Sequence, residues 1–405
     1  RSVPITDQQP GLNTWLGTFD SWPDVSSSCT PLTDMSIQAM SGWGANIVRV
    51  PMSSTFWGSD PSQAEPGCQA PFPAYRSNID AVVASITARG MVALLDLHSV
   101  KRIPCSPDWN RQHPMPDSSA IGFWQSVSRR YVTNPLVAFE LYNEPHTNYL
   151  NYGQGSWALW LYGGSATSCP KQPSNPIQDA CPGGDGARWT AAGMQDMYNA
   201  IRTVESSNSS PSHLVFVAGN EFTRKPPPPG YMLKDADGSL ANNLIYTVHH
   251  YSVTTTQAGG RSYTIPSCAP SSAAPSGCFK TWVDFSTTHS VAVNVNEFGW
   301  LSGPDADPYS PTYPKPSGQQ QHENVICSAT NADFGWMAYR WSSDNDHLPT
   351  LNHYYGLLAS QDQYLPTLVA NSSGKPAKDA LSIDPTAAGG KKALANLLNC
   401  YTPSG

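Results

Sequence analysis

Charge is what this chain has least of. Only 13% of its 405 residues are Asp, Glu, Lys or Arg, about half the share of an average globular protein. The balance is mildly acidic, 30 acidic residues against 23 basic ones for a net charge of −7. No basic run offers a track for phosphates, which argues against a nucleic-acid partner. No apolar run reaches the roughly 18 residues of a membrane span, so no membrane partner is expected either. None of the nine cysteines forms a CxxC pair, so zinc-ribbon and thioredoxin-like sites are excluded. A Gly-rich nucleotide loop is also missing.

What is present suits a large folded core with long loops. The 13 Trp, 18 Tyr and 11 Phe residues supply ample area to bury. Disordered chains are poor in aromatics and high in net charge, so disorder is excluded. The cysteines, at 29, 68, 105, 169, 181, 268, 278, 327 and 400, sit mostly in Pro-, Ser- and Gly-rich stretches. Isolated loop cysteines suggest disulfides and a secreted, extracellular protein; buried free thiols in a cytosolic protein are the alternative. The expected pairs are Cys169–Cys181 and Cys268–Cys278 across short loops, Cys327–Cys400 at the tail, and Cys68–Cys105 between neighbouring loops. An odd count leaves one thiol free. The first residue is Arg1 rather than Met, as in a mature secreted form or an expressed fragment. Asn208 and Asn371 begin glycosylation sequons.

One unit recurs along the chain: a helix, a short apolar strand, then a polar or aromatic loop. In Asn78–Arg89 the residues Ile79, Val82, Val83 and Ile86 share one helix face. Gly90 stops that helix, and Met91–Leu95 follows as a strand apolar on both faces, as in a parallel sheet. Helices Met35–Trp43, Ala120–Tyr131 and Gly193–Val204 precede strands Asn46–Val50, Leu136–Leu141 and Leu214–Val217. Further strands are expected at Leu244–Val248, Val291–Val295 and Gly335–Tyr339, and a first one within Leu12–Phe19. Eight alternating units predict an α/β fold, a closed (β/α)8 TIM barrel with long, disulfide-bearing loops after the strands. Residues 1–405 read as a single catalytic domain, with 360–405 a C-terminal segment packed on the barrel through a helix at Lys391–Leu398. Residues 148–187, 221–240 and 252–280 read as loop insertions on the rim, the first too polar and Gly-rich for the core.

In such a barrel chemistry belongs at the C-terminal ends of the strands. There the apolar runs stop in Arg49, Asp96-Leu97-His98, Tyr142-Asn143-Glu144-Pro145-His146, His249-His250-Tyr251, Asn296-Glu297-Phe298-Gly299 and Trp341. Glu144 and Glu297 each follow a buried strand and an asparagine. Their strands, the fourth and the seventh, face each other across an eight-stranded barrel. Two facing carboxyl groups suit glycosidic cleavage, one protonating the departing oxygen while the other attacks the anomeric carbon. That chemistry needs neither metal nor cofactor.

The run LYNEPH, with NEFGW about 150 residues later, resembles glycoside hydrolase family 5, within the large clan of retaining (β/α)8 glycosidases. Arg49, His98, the His-x-Tyr of His249 and Tyr251, and Trp341 extend the resemblance over roughly residues 9–345. The resemblance implies that Glu144 is the general acid/base and Glu297 the nucleophile. It implies that Asn143 holds the sugar 2-hydroxyl and that Tyr251 and Arg49 keep the nucleophile ionised. His98 and His249 would line the subsite of the cleaved sugar, with Trp341 as its platform. Three departures concern the substrate: the extra His250, Asn296 where many relatives have glycine, and Arg340 beside Trp341.

The expected partner is therefore a polysaccharide or oligosaccharide, cleaved by a monomeric endo-β-1,4-glucanase. A β-mannanase, a xylanase or an exo-acting glycosidase of the same family is the alternative, and a non-catalytic carbohydrate-binding barrel a more distant one. A metal cluster of Asp96, His98 and His249 would need a His-x-His on the first strand, and none is there. Trp57, Trp109, Trp157, Trp160 and Trp300 lie in loop-like or strand-end positions, and two or three of them are expected to stack on sugar. His250 reads as structural.

Overall fold

The computed structural model describes residues 2–4, 34–58, 75–99, 113–147, 150, 156–167, 188–251, 253–256, 262–265, 268–299, 318–339, 374–383, 387–388, 390–398 and 400. Eight strands close a parallel barrel in chain order: β1 (Ser2–Pro4), β2 (Ile47–Ser53), β3 (Val92–Ser99), β4 (Val137–Glu140), β5 (Val215–Ala218), β6 (Leu244–His250), β7 (Ala292–Phe298) and β8 (Gly335–Ala338). The fold is the expected (β/α)8 barrel. Its first strand is a correction. The seam is closed by Ser2–Pro4, which pairs with Ile47–Arg49 on one side and Met337 on the other. A strand of three residues is too short to show any periodicity, and Leu12–Phe19 lies outside the described residues.

Continuous apolar strands form here because both faces are covered. Outward side chains such as Val48, Val50, Leu95, Leu97, Phe139 and Val217 join one large core with the helices. Helix Tyr75–Thr87 supplies Ile79, Val82, Val83 and Ile86, all buried. Helix Ser119–Tyr131 supplies Phe123, Trp124, Val127 and Tyr131. Past the first of these helices, Gly90 adopts φ +73, the left-handed conformation that a glycine takes without steric cost.

Inside the barrel the strands alternate with a period of two. A small apolar cluster of Leu94, Ala138, Phe216 and Met337, backed by Ile47, Val92 and Ile245, plugs the lower interior. Two residues further along four of these strands, the same inward face carries Arg49, Asp96, Glu140 and Thr247, all fully buried. A polar layer thus rests on a hydrocarbon floor.

The insertion at 148–187 is only partly a rim loop. Ser156 caps a helix at Trp157–Tyr162 by accepting from the Leu159 amide. That helix buries Leu159, Trp160 and Leu161, so this polar stretch does enter the core. Gly163 follows at φ +66, and a Cβ there would sit 2.2 Å from the Ala191 carbonyl oxygen. The close approach lets strand Gly164–Thr167 pair antiparallel with Arg188–Ala191. A second hairpin, Val253–Thr256 with Ser262–Ile265, follows β6.

Disulfides Cys268–Cys278 and Cys327–Cys400 are present as expected; Cys68, Cys105, Cys169 and Cys181 lie outside the described residues. Near the C-terminus, helices Gly374–Leu381 and Gly390–Leu397 place Ala377, Leu381 and Leu394 in the main core. Among the described residues, no helix is long and apolar enough to cross a membrane.

Candidate active site

At the C-terminal mouth of the barrel the polar layer becomes a connected cluster around Arg49. This side chain is fully buried, and all three nitrogens of its planar fork are engaged. Nε donates to Glu140 Oε2 at 2.5 Å, and Nη1 donates to Glu297 Oε1. Nη2 donates to Asn143 Oδ1 at 2.7 Å and pairs with Asp96 Oδ2 at 2.9 Å. One guanidinium thereby faces three carboxylates, from β3, β4 and β7.

Glu297 leaves β7 at a register irregularity. The pairing with both neighbouring strands shifts just after Val295, and bulges of this kind re-aim side chains beside active sites. The Tyr251 hydroxyl donates to Glu297 Oε2 at 2.8 Å. Burial pushes the Glu297 pKa up, but His249 and Arg49 together with the Tyr251 hydrogen bond outweigh it. The net result is a pKa lowered to about 2. Glu297 is therefore ionised over the whole ordinary pH range.

Glu144 lies across the mouth. Its side chain is 26% exposed, against 6% for Glu297, so it meets solvent where Glu297 does not. His249 Nδ1 is 2.8 Å from Glu144 Oε1 and 3.6 Å from Glu297 Oε2. Burial opposes the charged imidazole, but the two carboxylates outweigh it and raise the His249 pKa. One carboxylate oxygen from each glutamate and this ring nitrogen all lie within 4.8 Å of one another.

The loop that carries Glu144 is stitched to the loop after β5. Thr223 Oγ1 donates to the Asn143 carbonyl, and the Phe222 amide donates to the Pro145 carbonyl. Asn220 exchanges hydrogen bonds with Thr147. Phe222 stacks on His146, with ring centroids 4.1 Å apart. Glu221, Phe222 and Thr223 have φ of 53, 58 and 62. Three consecutive non-glycine residues in the left-handed region store backbone strain, a frequent mark of a functional rim.

His98 completes the cluster. Its Nδ1 is 2.7 Å from Asp96 Oδ2, and its Nε2 is 3.3 Å from Asn143 Nδ2. An Asn143 amide that gives its oxygen to Arg49 presents its nitrogen to His98. The ring then accepts at Nε2 and donates from Nδ1 to Asp96.

Seven of the eight residues expected at the site thus converge: Glu144, Glu297, Arg49, His98, Asn143, His249 and Tyr251. Trp341 lies outside the described residues, as do Trp109 and Trp300. Trp57 and Trp160 are core residues and so are not among the tryptophans open to stack on sugar. Their indole N–H groups donate to Ser126 Oγ and to the Ala218 carbonyl. His250 faces away from the mouth, with Nδ1 3.4 Å from Cys278 Sγ, and burial drops its pKa to about 4.

Glu140 is the residue that strand-end reasoning missed. Its signal was a charged side chain closing the apolar run VAFE, in phase with Ala138 on the inward face. The role of Asn296 also emerges only here: its Nδ2 donates to Glu140 Oε1 at 2.8 Å. Two groups among the described residues bring three potential metal ligands together. One is Glu144, His249 and Glu297; the other is His250 with Cys268 and Cys278, whose sulfurs are joined in the disulfide.

Comparison with known proteins bears on the chemistry of this cluster. The family model for cellulase (glycosyl hydrolase family 5) matches residues 6–345. No curated protein matches the chain by sequence. Among solved structures, a broad-specificity endoglucanase from Ruminococcus champanellensis with bound cellotriose is 15% identical, with a TM-score of 0.55 over 93% of this chain and 94% of that one. An endo-β-1,4-glucanase from Xanthomonas axonopodis pv. citri is 15% identical, with a TM-score of 0.55 over 93% and 97%. Cel5A of Thermotoga maritima, solved with cellobiose, is 14% identical, with a TM-score of 0.51 over 94% and 96%. At these identities the likeness is one of fold.

Proposed function

Because the chain belongs to glycosyl hydrolase family 5, the cellulase family, and is thereby a glycoside hydrolase, we propose that it cleaves β-1,4-glucan as a retaining endoglucanase. Glu297 attacks the anomeric carbon while Glu144 protonates the departing oxygen. Glu144 then takes a proton from water, which releases the sugar from Glu297 with its configuration kept. The observation that carries this reading is the carboxylate pair, one oxygen of each coming within 4.8 Å of the other, a close approach that favours the shorter, retaining spacing. Retaining pairs stand about 5–5.5 Å apart, whereas inverting pairs leave about 6.5–9.5 Å for a water.

The remaining residues fit supporting roles. Arg49 and Tyr251 hold Glu297 ionised, and Asn143 presents its amide nitrogen towards a sugar 2-hydroxyl. His98 and His249 line the subsite, and Trp341 is assigned to the platform beneath the sugar. The reading also makes the protein a monomer secreted into an oxidising compartment, for which the two disulfides among its described residues are suited.

Glucan as substrate draws support from the cellotriose and cellobiose named with the similar structures. A mannan-cleaving enzyme is the second reading, since Cel5A of Thermotoga maritima was also solved with mannotriose. The test is purified protein on carboxymethyl-cellulose, lichenan, mannan and xylan, with a reducing-sugar readout and NMR of the first anomer released. Strongest action on the glucans with a β-anomer first is expected. An α-anomer first, or no hydrolysis of any of the four, would overturn the reading.

Tyr251→Phe tests the control of charge at Glu297. Loss of a donor to the ionised form raises that carboxyl from its lowered pKa. The acid limb of the kcat/KM profile should therefore move up, by about one pH unit. An unmoved limb would mean that the hydroxyl does not tune the nucleophile.

A further inference from the structure

Resting on the reading of Glu297 as nucleophile, we propose that Glu140 is a positioning residue for the reaction: it fixes the guanidinium of Arg49 that faces Glu297. Glu140 is fully buried on the inward face of β4. Both of its oxygens accept. Oε2 takes the Arg49 Nε hydrogen and Oε1 takes a hydrogen from Asn296 Nδ2. Burial pushes the Glu140 pKa up overall, while the Arg49 guanidinium and the two donors pull towards the carboxylate.

The geometry gives this contact its leverage. A guanidinium is a rigid plane, so fixing its Nε fixes where both terminal nitrogens point. With Nε on Glu140, Nη1 meets Glu297 and Nη2 meets Asn143 and Asp96. The clamp continues on the far side. Asn294 Nδ2 donates to Asn296 Oδ1 at 2.6 Å. Asn294 in turn fills the space left by Gly335, where a Cβ would lie 2.0 Å from its Oδ1. Strands β2, β4, β7 and β8 are thereby locked around one carboxylate. Packing alone does not call for such a group, since apolar residues commonly replace buried ion pairs without loss of stability.

Charge gives a second handle. Arg49 serves Asp96, Glu140 and Glu297 together, while His98 and His249 face the cluster from β3 and β6. Neutralising Glu140 removes a like charge from beside Glu297 and concentrates Arg49 on the two carboxylates that remain. Both effects stabilise the ionised nucleophile further and blunt its attack.

The experiment compares wild type with Glu140→Gln on the best glucan oligosaccharide, alongside thermal melting. The expected result is a fall in kcat of about a hundred-fold at unchanged KM. The acid limb of kcat/KM should also move down, by up to about one pH unit, which a merely structural role would not produce. Wild-type kcat with an unmoved limb overturns the proposal, as does a change confined to KM. Should Glu140→Gln fail to fold, Asn296→Ala decides. It leaves Glu140 and Arg49 in place and removes only the clamp, and it should cost roughly ten-fold in kcat, as outer partners of a site do. Wild-type kcat there overturns the proposal too. An active wild type with an unaffected variant sinks this inference alone, whereas an inactive wild type sinks the functional reading beneath it.

Discussion

Glu297→Gln is expected to lower kcat on β-1,4-glucan by roughly a million-fold, the scale on which an enzyme loses its nucleophile. The amide is nearly the shape of the carboxylate but cannot attack the anomeric carbon, and it carries no charge to balance the developing oxocarbenium ion. The fold should survive, because Arg49 keeps Asp96 and Glu140 as partners. Circular dichroism and melting would establish that, and oligosaccharide binding should persist. Substantial turnover in the folded variant would remove Glu297 from its role and the double displacement with it.

Glu144→Ala should produce a loss that depends on the leaving group. On polysaccharide the departing sugar oxygen needs a proton, and general acid catalysis is worth about a hundred- to ten-thousand-fold. A 2,4-dinitrophenyl glycoside departs without one, so its first step should proceed nearly as in wild type. The glycosyl-enzyme then accumulates, because no base remains to activate water. Azide, which needs no base, should restore turnover and yield a β-glycosyl azide. Equal losses on both substrates, or an α-azide product, would assign the acid elsewhere. The exposure of Glu144 makes the test practical, since its removal leaves a solvent-filled notch beside His249 rather than a buried void.

How far the sequence carried the site follows from what kind of signal each residue leaves. The strands from β2 to β8 were legible because a parallel strand covered on both faces is an unbroken apolar run. Each was expected within four residues of its observed limits. Glu144 and Glu297 stood out because each interrupts such a run at its end. Helices Lys280–His289 and Gly318–Asn331 left less trace. The first buries only Trp282 and Phe285, and the second hides Val325, Ile326 and Ala329 in a largely polar stretch. The helix at Trp157–Tyr162 was masked by the glycines around it.

Glu140 and Asn296 show a different limit. Each is an ordinary polar residue until strand pairing sets which way it faces. Asn296 Nδ2 and Glu140 Oε1 meet across 156 positions of chain, and no local pattern predicts that meeting. Trp57 and Trp160 could not be told apart from sugar-facing tryptophans for the converse reason. A tryptophan next to a loop looks the same in sequence whether it faces a sugar or lies beneath the backbone.

The plug formed by Leu94, Ala138, Phe216 and Met337 governs traffic as well as packing. With hydrocarbon filling the lower interior, apolar side chains separate the Glu144–Glu297 pair from the barrel's lower end. In the proposed double displacement, the water that releases the sugar would therefore enter by the same doorway through which the first product leaves. A lingering first product would shut out the solvent needed for the next step, so its departure and the arrival of water are successive uses of a single passage.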